Sequence, residues 1–156
     1  MTKILFDIIH LAHLNFFKAA IFHLKKESYK VRITYLDRGK ISKVLAKEFP
    51  GFDFVKIGEY SNTSLGKIPM LLKRFYLFNK YLKKEKPDIT TGVGDFILAF
   101  SSRIRGISSM QFYDDYEFKI NFKLSRLFAN KLIVPDAIPV ESRKLLKYHG
   151  FKELAY

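Results

Sequence analysis

A chain of 156 residues has room for one well-buried domain but not for two of ordinary size. Nearly half of its residues are apolar and 16 are Phe, which excludes a disordered chain, and the absence of Cys excludes disulfides and thiolate metal sites. The formal charge of +13, from 28 Lys and Arg against 15 Asp and Glu, favours a polyanionic partner: an anionic membrane surface, a phosphorylated substrate or nucleic acid. A cysteine-free composition fits a reducing compartment, so a cytoplasmic protein is expected. Asp7 interrupts the first apolar run and no run reaches about 18 residues, so neither a signal peptide nor a membrane span is expected.

The first strand reads as Ile4 to Ile9, with the Asp7 carboxylate at its end; His10 and His13 follow in a loop. Phe17, Ala20, Ile21 and Leu24 then recur at helical spacing, predicting a helix over about Asn15 to Glu27. Lys30 to Leu36 predicts a second strand, and Ile41, Val44, Leu45 and Phe49 a second helix closed by Pro50-Gly51. Phe54 to Ile57 is a short third strand. A polar loop, Glu59 to Gly66, leads to a long helix over Lys67 to Lys86, with Pro69 in its first turn.

Pro87 closes that helix, and Asp88 to Val93 predicts a fourth strand running into Gly92-Val93-Gly94-Asp95. A helix from Phe96 to Ile104 stops at Gly106. Ser109 to Tyr113 then reads as strand five, Phe118 to Phe128 as a helix, Lys131 to Pro135 as strand six, and Pro139 to Tyr148 as a short last helix. Strands alternating with helices predict an α/β fold: a Rossmann-like, doubly wound, parallel six-stranded sheet in the order 3-2-1-4-5-6. The domain is expected to span residues 1–150. Residues 151–156 read as the start of a linker to a missing C-terminal domain.

In that order the winding reverses between strands one and four, and a crevice opens there at the strands' carboxyl ends. The loops that flank it carry Asp7, His10 and His13 on one side and Gly92, Gly94 and Asp95 on the other. The histidines are candidates for general acid–base work, or for bonding sugar hydroxyls and phosphate oxygens, with Asp7 as their carboxylate partner. The glycines permit close backbone approach, and Asp95 either caps the next helix or holds a hydroxyl. A second cluster, Asp114, Asp115 and Glu117, calls for cations, a metal or a ligand to offset its repulsion.

No third clustered ligand joins the two histidines, so no metal and no cofactor are expected. Nor do Ser64, Gly66 and Lys67 form a phosphate loop, because Ser61 stands where that pattern needs Gly and Ile68 where it needs Ser or Thr. The long helix bears Lys73, Arg74, Lys80, Lys83 and Lys84, interleaved with Phe75, Tyr76, Phe78 and Tyr81. These five cations are the expected membrane-docking set. No recognisable RNA or DNA module accompanies them, which ranks nucleic acid below a membrane surface.

Five segments in register, FDIIHLAHLNFFKAA, SNTSLGK, DITTGVGDF, SRIRGISSMQFYDDYE and GFKELAY, resemble an uncharacterised family of bacterial and archaeal glycosyltransferase-like proteins. That family is itself similar to GT-B glycosyltransferases and to non-hydrolysing UDP-N-acetylglucosamine 2-epimerases, and is about twice as long. The resemblance implies an N-terminal Rossmann-like half that contributes acceptor contacts and catalytic groups. It carries over Asp7, His10, His13, Gly92, Gly94, Asp115 and Glu117. The chain departs from the family's pattern at Leu11, Tyr116 and Phe118, where proline, a small hydroxyl residue and histidine are usual.

The expected function is therefore the acceptor-side half of a GT-B-like glycosyltransferase of surface-polysaccharide synthesis. It would use a nucleotide-sugar donor and a glycan or lipid-linked acceptor, be peripheral on the inner face of the plasma membrane, and be inactive in isolation. His10 or His13 would be the base or a phosphate contact, and Asp115 with Glu117 would orient sugar hydroxyls. The alternatives are half of a UDP-N-acetylglucosamine 2-epimerase-like enzyme and a non-catalytic basic domain that binds membranes or nucleic acid.

Overall fold

Parallel strands covered on both faces are built from near-continuous apolar runs, and the runs noted above pair in that way. The computed structural model describes residues 1–114 and 119–150. In chain order the elements are β1 (Lys3–Ile8), α1 (Leu11–Lys26), β2 (Lys30–Asp37), α2 (Ile41–Glu48), β3 (Phe54–Glu59) and α3 (Ser64–Glu85). Then come β4 (Ile89–Val93), α4 (Phe96–Ile104), β5 (Ser108–Phe112), α5 (Lys119–Phe128), β6 (Lys131–Pro135) and β7 (Leu145–Tyr148). The strands form one sheet in the order β3-β2-β1-β4-β5-β6-β7, with every neighbouring pair parallel.

Alternation along β1 divides the core. Ile4, Phe6 and Ile8 point to one face and pack with Leu14, Phe17 and Ile21 of α1 and Ile41 and Leu45 of α2. Leu5 points to the other, against Phe78 and Leu82 of α3 and Ile97 and Leu98 of α4. Asp7 shares the parity of Leu5, so its side chain enters the α3–α4 layer, where it is fully buried.

The predicted class and strand order hold, with one strand added. Residues 145–148, expected within a helix from Pro139 to Tyr148, instead extend the sheet, with Leu132 opposite Leu145 and Pro135 opposite Tyr148. A four-residue outer strand that is half exposed needs no strict alternation, which is why its pattern passed for a helix. Two helices begin earlier than expected. α1 starts at Leu11, so His13 belongs to its first turns and not to a loop. α3 starts at Ser64, which leaves Pro69 as its sixth residue and outside the first turn. The expected start of the fifth helix at Phe118 and the linker 151–156 lie outside the described residues.

Candidate functional site

At the carboxyl ends of β1 and β4 a cleft of ≈ 440 Å³ opens between the two loops that the winding reversal separates. Ile9 and His10 line it from the β1–α1 junction, Ala12 and His13 from the first turns of α1, and Val93 and Gly94 from the end of β4. Arg38, just past β2, closes one side, and Tyr113, Asp114 and Asn121 close the other. Gly94 holds φ +61°, a left-handed conformation, and a Cβ there would sit 3.3 Å from the Tyr113 ring. Its N–H donates to the carbonyl of Phe112 at 2.8 Å, which ties the β4 loop to β5.

His10 is the N-cap of α1, an unusual residue for the role. Its backbone is extended at φ −149° and ψ 152°, and its Nδ1 accepts from the N–H of Ala12 at 3.3 Å. An accepting Nδ1 carries no proton, so in neutral His10 the proton sits on Nε2, which makes that nitrogen a donor. His13 lies one helical turn on, largely buried, with its ring centroid 6.0 Å from that of His10. No acidic side chain stands in the first turn of α1, so the positive end of its dipole is not compensated by its own helix. Arg38, stacked over the Tyr60 ring at 4.2 Å, adds a cation to the same opening. The cleft thus combines imidazoles, a guanidinium and a helix N-terminus, which suit phosphate and hydroxyl oxygens, with the carboxylate of Asp114 opposite.

Beneath the cleft floor lies a buried ionic cluster. Arg74, on the inner side of α3, directs Nη2 to the carboxylates of both Asp7 and Asp95, the latter at 2.8 Å, and Nη1 to the carbonyl of Ile57 at 2.7 Å. Asp7 also accepts from the Thr34 hydroxyl at 2.6 Å, while Asp95 caps α4 by accepting from the N–H groups of Ile97 and Leu98, each at 3.1 Å. One guanidinium against two carboxylates leaves a charge to be neutralised. Burial, only partly opposed by Arg74 and reinforced by the charge of Asp95, pushes Asp7 up to about 8. Burial would raise Asp95 as well, but Arg74 and the hydrogen bonds from Asp7, Arg74 and Leu98 hold it below the usual carboxylate range. At neutral pH the cluster is therefore a neutral Asp7, an ionised Asp95 and a cationic Arg74, with no net charge.

Of the residues singled out in the sequence, the cleft gathers His10, His13 and Gly94, with Asp114. Asp7 and Asp95 sit below it, engaged with Arg74. Gly92 also lies within the fold: a Cβ there would come 3.3 Å from Gln111 Oε1 and 3.6 Å from the Asp7 carbonyl. These contacts give Gly92 a packing role and Asp95 a capping one. Arg74, assigned in sequence to the docking cations, is 3 % exposed and holds the cluster instead. Asp115 and Glu117 lie outside the described residues. Among the described residues no group of three His, Cys, Asp or Glu side chains could hold a metal ion.

Sequence reading missed Arg38, Tyr113 and Asn121 as cleft residues. Arg38 and Tyr113 were within reach of it, because each directly follows a strand that neighbours β1 or β4 in the order given above. Arg74 carried a signal too. It lies three residues after Leu71 and four before Phe78, on the apolar row of α3, where a lone cation implies a buried acid.

The fold defines the class: a Rossmann-like α/β domain of the kind found in GT-B structures. Within that class, the model of the family described as Protein of unknown function (DUF354) matches residues 2–153, and the chain belongs to that family. No curated protein matches the sequence. Among solved structures, MurG of Acinetobacter baumannii superposes with TM-score 0.75 at 15% identity, over 94% of this chain and 45% of that one. The UDP-GlcNAc 2-epimerase of Methanocaldococcus jannaschii gives TM-score 0.73 at 20% identity, over 94% and 45%. That of Neisseria meningitidis, bound to UDP-GlcNAc, gives TM-score 0.73 at 15% identity, over 94% and 46%. The chain thus spans about half the length of these structures, and at such identities the likeness is one of fold.

Proposed function

We propose that this chain is the N-terminal, acceptor-side half of a GT-B-like glycosyltransferase that uses a nucleotide-sugar donor in surface-polysaccharide synthesis at the cytoplasmic face of the plasma membrane. The observation that carries the reading is the cleft at the winding reversal, where His10, His13 and Arg38 meet the uncompensated N-terminus of α1. The coverage of about half of each GT-B-like relative supports placing the other half of the machinery in a second α/β unit.

In this reading Arg38 and the Nε2–H of His10 bind oxygens of the donor's phosphates or of a glycan or lipid-linked acceptor. His13, which lines the cleft one turn beyond the cap, takes the proton of the attacking hydroxyl. Asp114 orients a sugar hydroxyl across the cleft.

The same architecture serves the 2-epimerases, one of which holds UDP-GlcNAc, so a nucleotide-sugar epimerase is the second reading. Protein expressed from the complete gene, incubated with UDP-N-acetylglucosamine with and without acceptor, separates the two. Consumption only with acceptor supports transfer, and a C2-inverted sugar without acceptor supports epimerisation. His13→Asn is expected to lower kcat/KM by roughly 10²–10⁴-fold. Turnover by that protein untouched by His13→Asn and by Arg38→Ala would remove the cleft from the chemistry. The 156-residue chain alone is expected to show no turnover.

A further inference from the structure

The outer side of α3 divides along its length. Leu65, Ile68, Leu72 and Tyr76 are exposed by 90%, 67%, 65% and 65%. They fall at i, i+3, i+7 and i+11, so they form one exposed ridge turned away from the buried Arg74, Phe78 and Leu82. Single exposed apolar side chains are ordinary, but four in one row mark a contact surface. Lys80 and Lys83 continue the row toward the C-terminus, and Lys73 and Lys84 flank it, all exposed. Glu85, the single acid of α3, is already paired with Lys3 and Arg32.

We infer that this row docks on an anionic bilayer surface, with the apolar side chains entering the interface and the lysines meeting lipid phosphates. Charge complementarity selects that occupant. A second copy packed antiparallel through the apolar half would leave Lys80 and Lys83 of both copies without a partner, since the one acid of α3 is already paired. Nucleic acid would satisfy the lysines but leave Leu65, Ile68 and Leu72 in water. The apolar half also follows directly on the β3–α3 loop, at the carboxyl-end rim of the sheet that carries the cleft. Among the described residues no helix is long and apolar enough to cross a membrane, so the contact is one of docking and not of spanning. The inference deepens the membrane location proposed above and is tested apart from sugar transfer, because vesicle binding is read without turnover.

Co-sedimentation of the full chain with phosphatidylcholine vesicles, with and without phosphatidylglycerol, tests it. Binding to the anionic vesicles alone, weakened by high salt, is expected. Ile68→Ser with Leu72→Ser should weaken that binding by at least about tenfold, as should Lys80→Glu with Lys83→Glu. All four positions are exposed, so circular dichroism of both variants should match the parent. Three results would each overturn the inference: no binding to anionic vesicles, undiminished binding by the ridge variant, or a dimer in sedimentation equilibrium that Leu72→Ser disperses in a protein that ignores vesicles.

Discussion

Arg74→Met is expected to lower the unfolding free energy by about 3–5 kcal/mol, a drop in Tm of roughly 6–20 °C for a chain of this size. The side chain is almost fully enclosed, lies 4.7 Å over the Phe78 ring and bonds three acceptors at once. Methionine fills the stem but leaves the ionised Asp95 without its counter-charge and the Ile57 carbonyl without its donor in a dry layer. Gly58, at φ +89°, brings the β3 backbone close to this site, since a Cβ there would lie 3.7 Å from that of Arg74.

Arg74→Lys should recover less than half of the loss, because one ammonium cannot reproduce a planar fork aimed at a carbonyl and two carboxylates. Adding Asp95→Asn to Arg74→Met should restore part of it, because Asn keeps the cap of α4 while removing the stranded charge. Urea unfolding of the four proteins measures this directly. An Arg74→Met midpoint equal to that of the parent would show that the cluster holds nothing together.

The same cluster predicts an unusual response to pH. Asp7 titrates at about 8 when folded and near 3.8 ordinarily, so between those values the folded state carries a proton that the unfolded state has released. Its contribution is full below the lower value and is lost as pH rises through the upper one. The expected slope for this one group approaches about 1.4 kcal/mol per pH unit between them. Asp95, held low, acts in the opposite sense: its contribution is present above its ordinary value and is lost only as pH falls below it. The two windows do not overlap.

Asp7→Asn mimics the protonated carboxyl in shape and charge. The difference in stability between parent and variant, followed by urea unfolding from pH 5 to pH 8.5, should therefore move steadily in favour of Asn. A difference that stays constant over that range would mean that Asp7 is ionised in the folded protein.

Much of this fold can be read from residue patterns because its strands are covered on both faces. KILFDI and KLIVP announce themselves as apolar runs whatever packs against them. Glycine and proline punctuate most of the remaining boundaries. The edge is where that logic fails: LLKY is short, half exposed and free of breakers, so only its pairing with β6 defines it. The start of α1 was obscured for a different reason. Its cap is a histidine and not Ser, Thr, Asp or Asn, so nothing in the residue types marks Leu11 as helical. The cleft was legible wherever topology alone places a loop, as with His10 and Gly94. Pairing between distant segments, such as Arg74 with Asp7 and Asp95, depends on which face of β1 meets α3, and that is decided only when the layers assemble.

Pro69 divides α3 into an exposed outer end and a buried inner length. Proline offers no N–H to the carbonyl of Leu65, so the turn bearing Leu65 and Ile68 is joined to the remainder by an incomplete ladder. The Thr63 hydroxyl steadies its first turn by accepting from the N–H of Gly66 at 3.1 Å. Beyond the proline, Phe78 and Leu82 lock the inner length into the core. The break in the ladder thus falls between the exposed end of the helix and the part that holds Asp7 and Asp95, so a change at Leu65 or Ile68 need not reach the floor of the cleft.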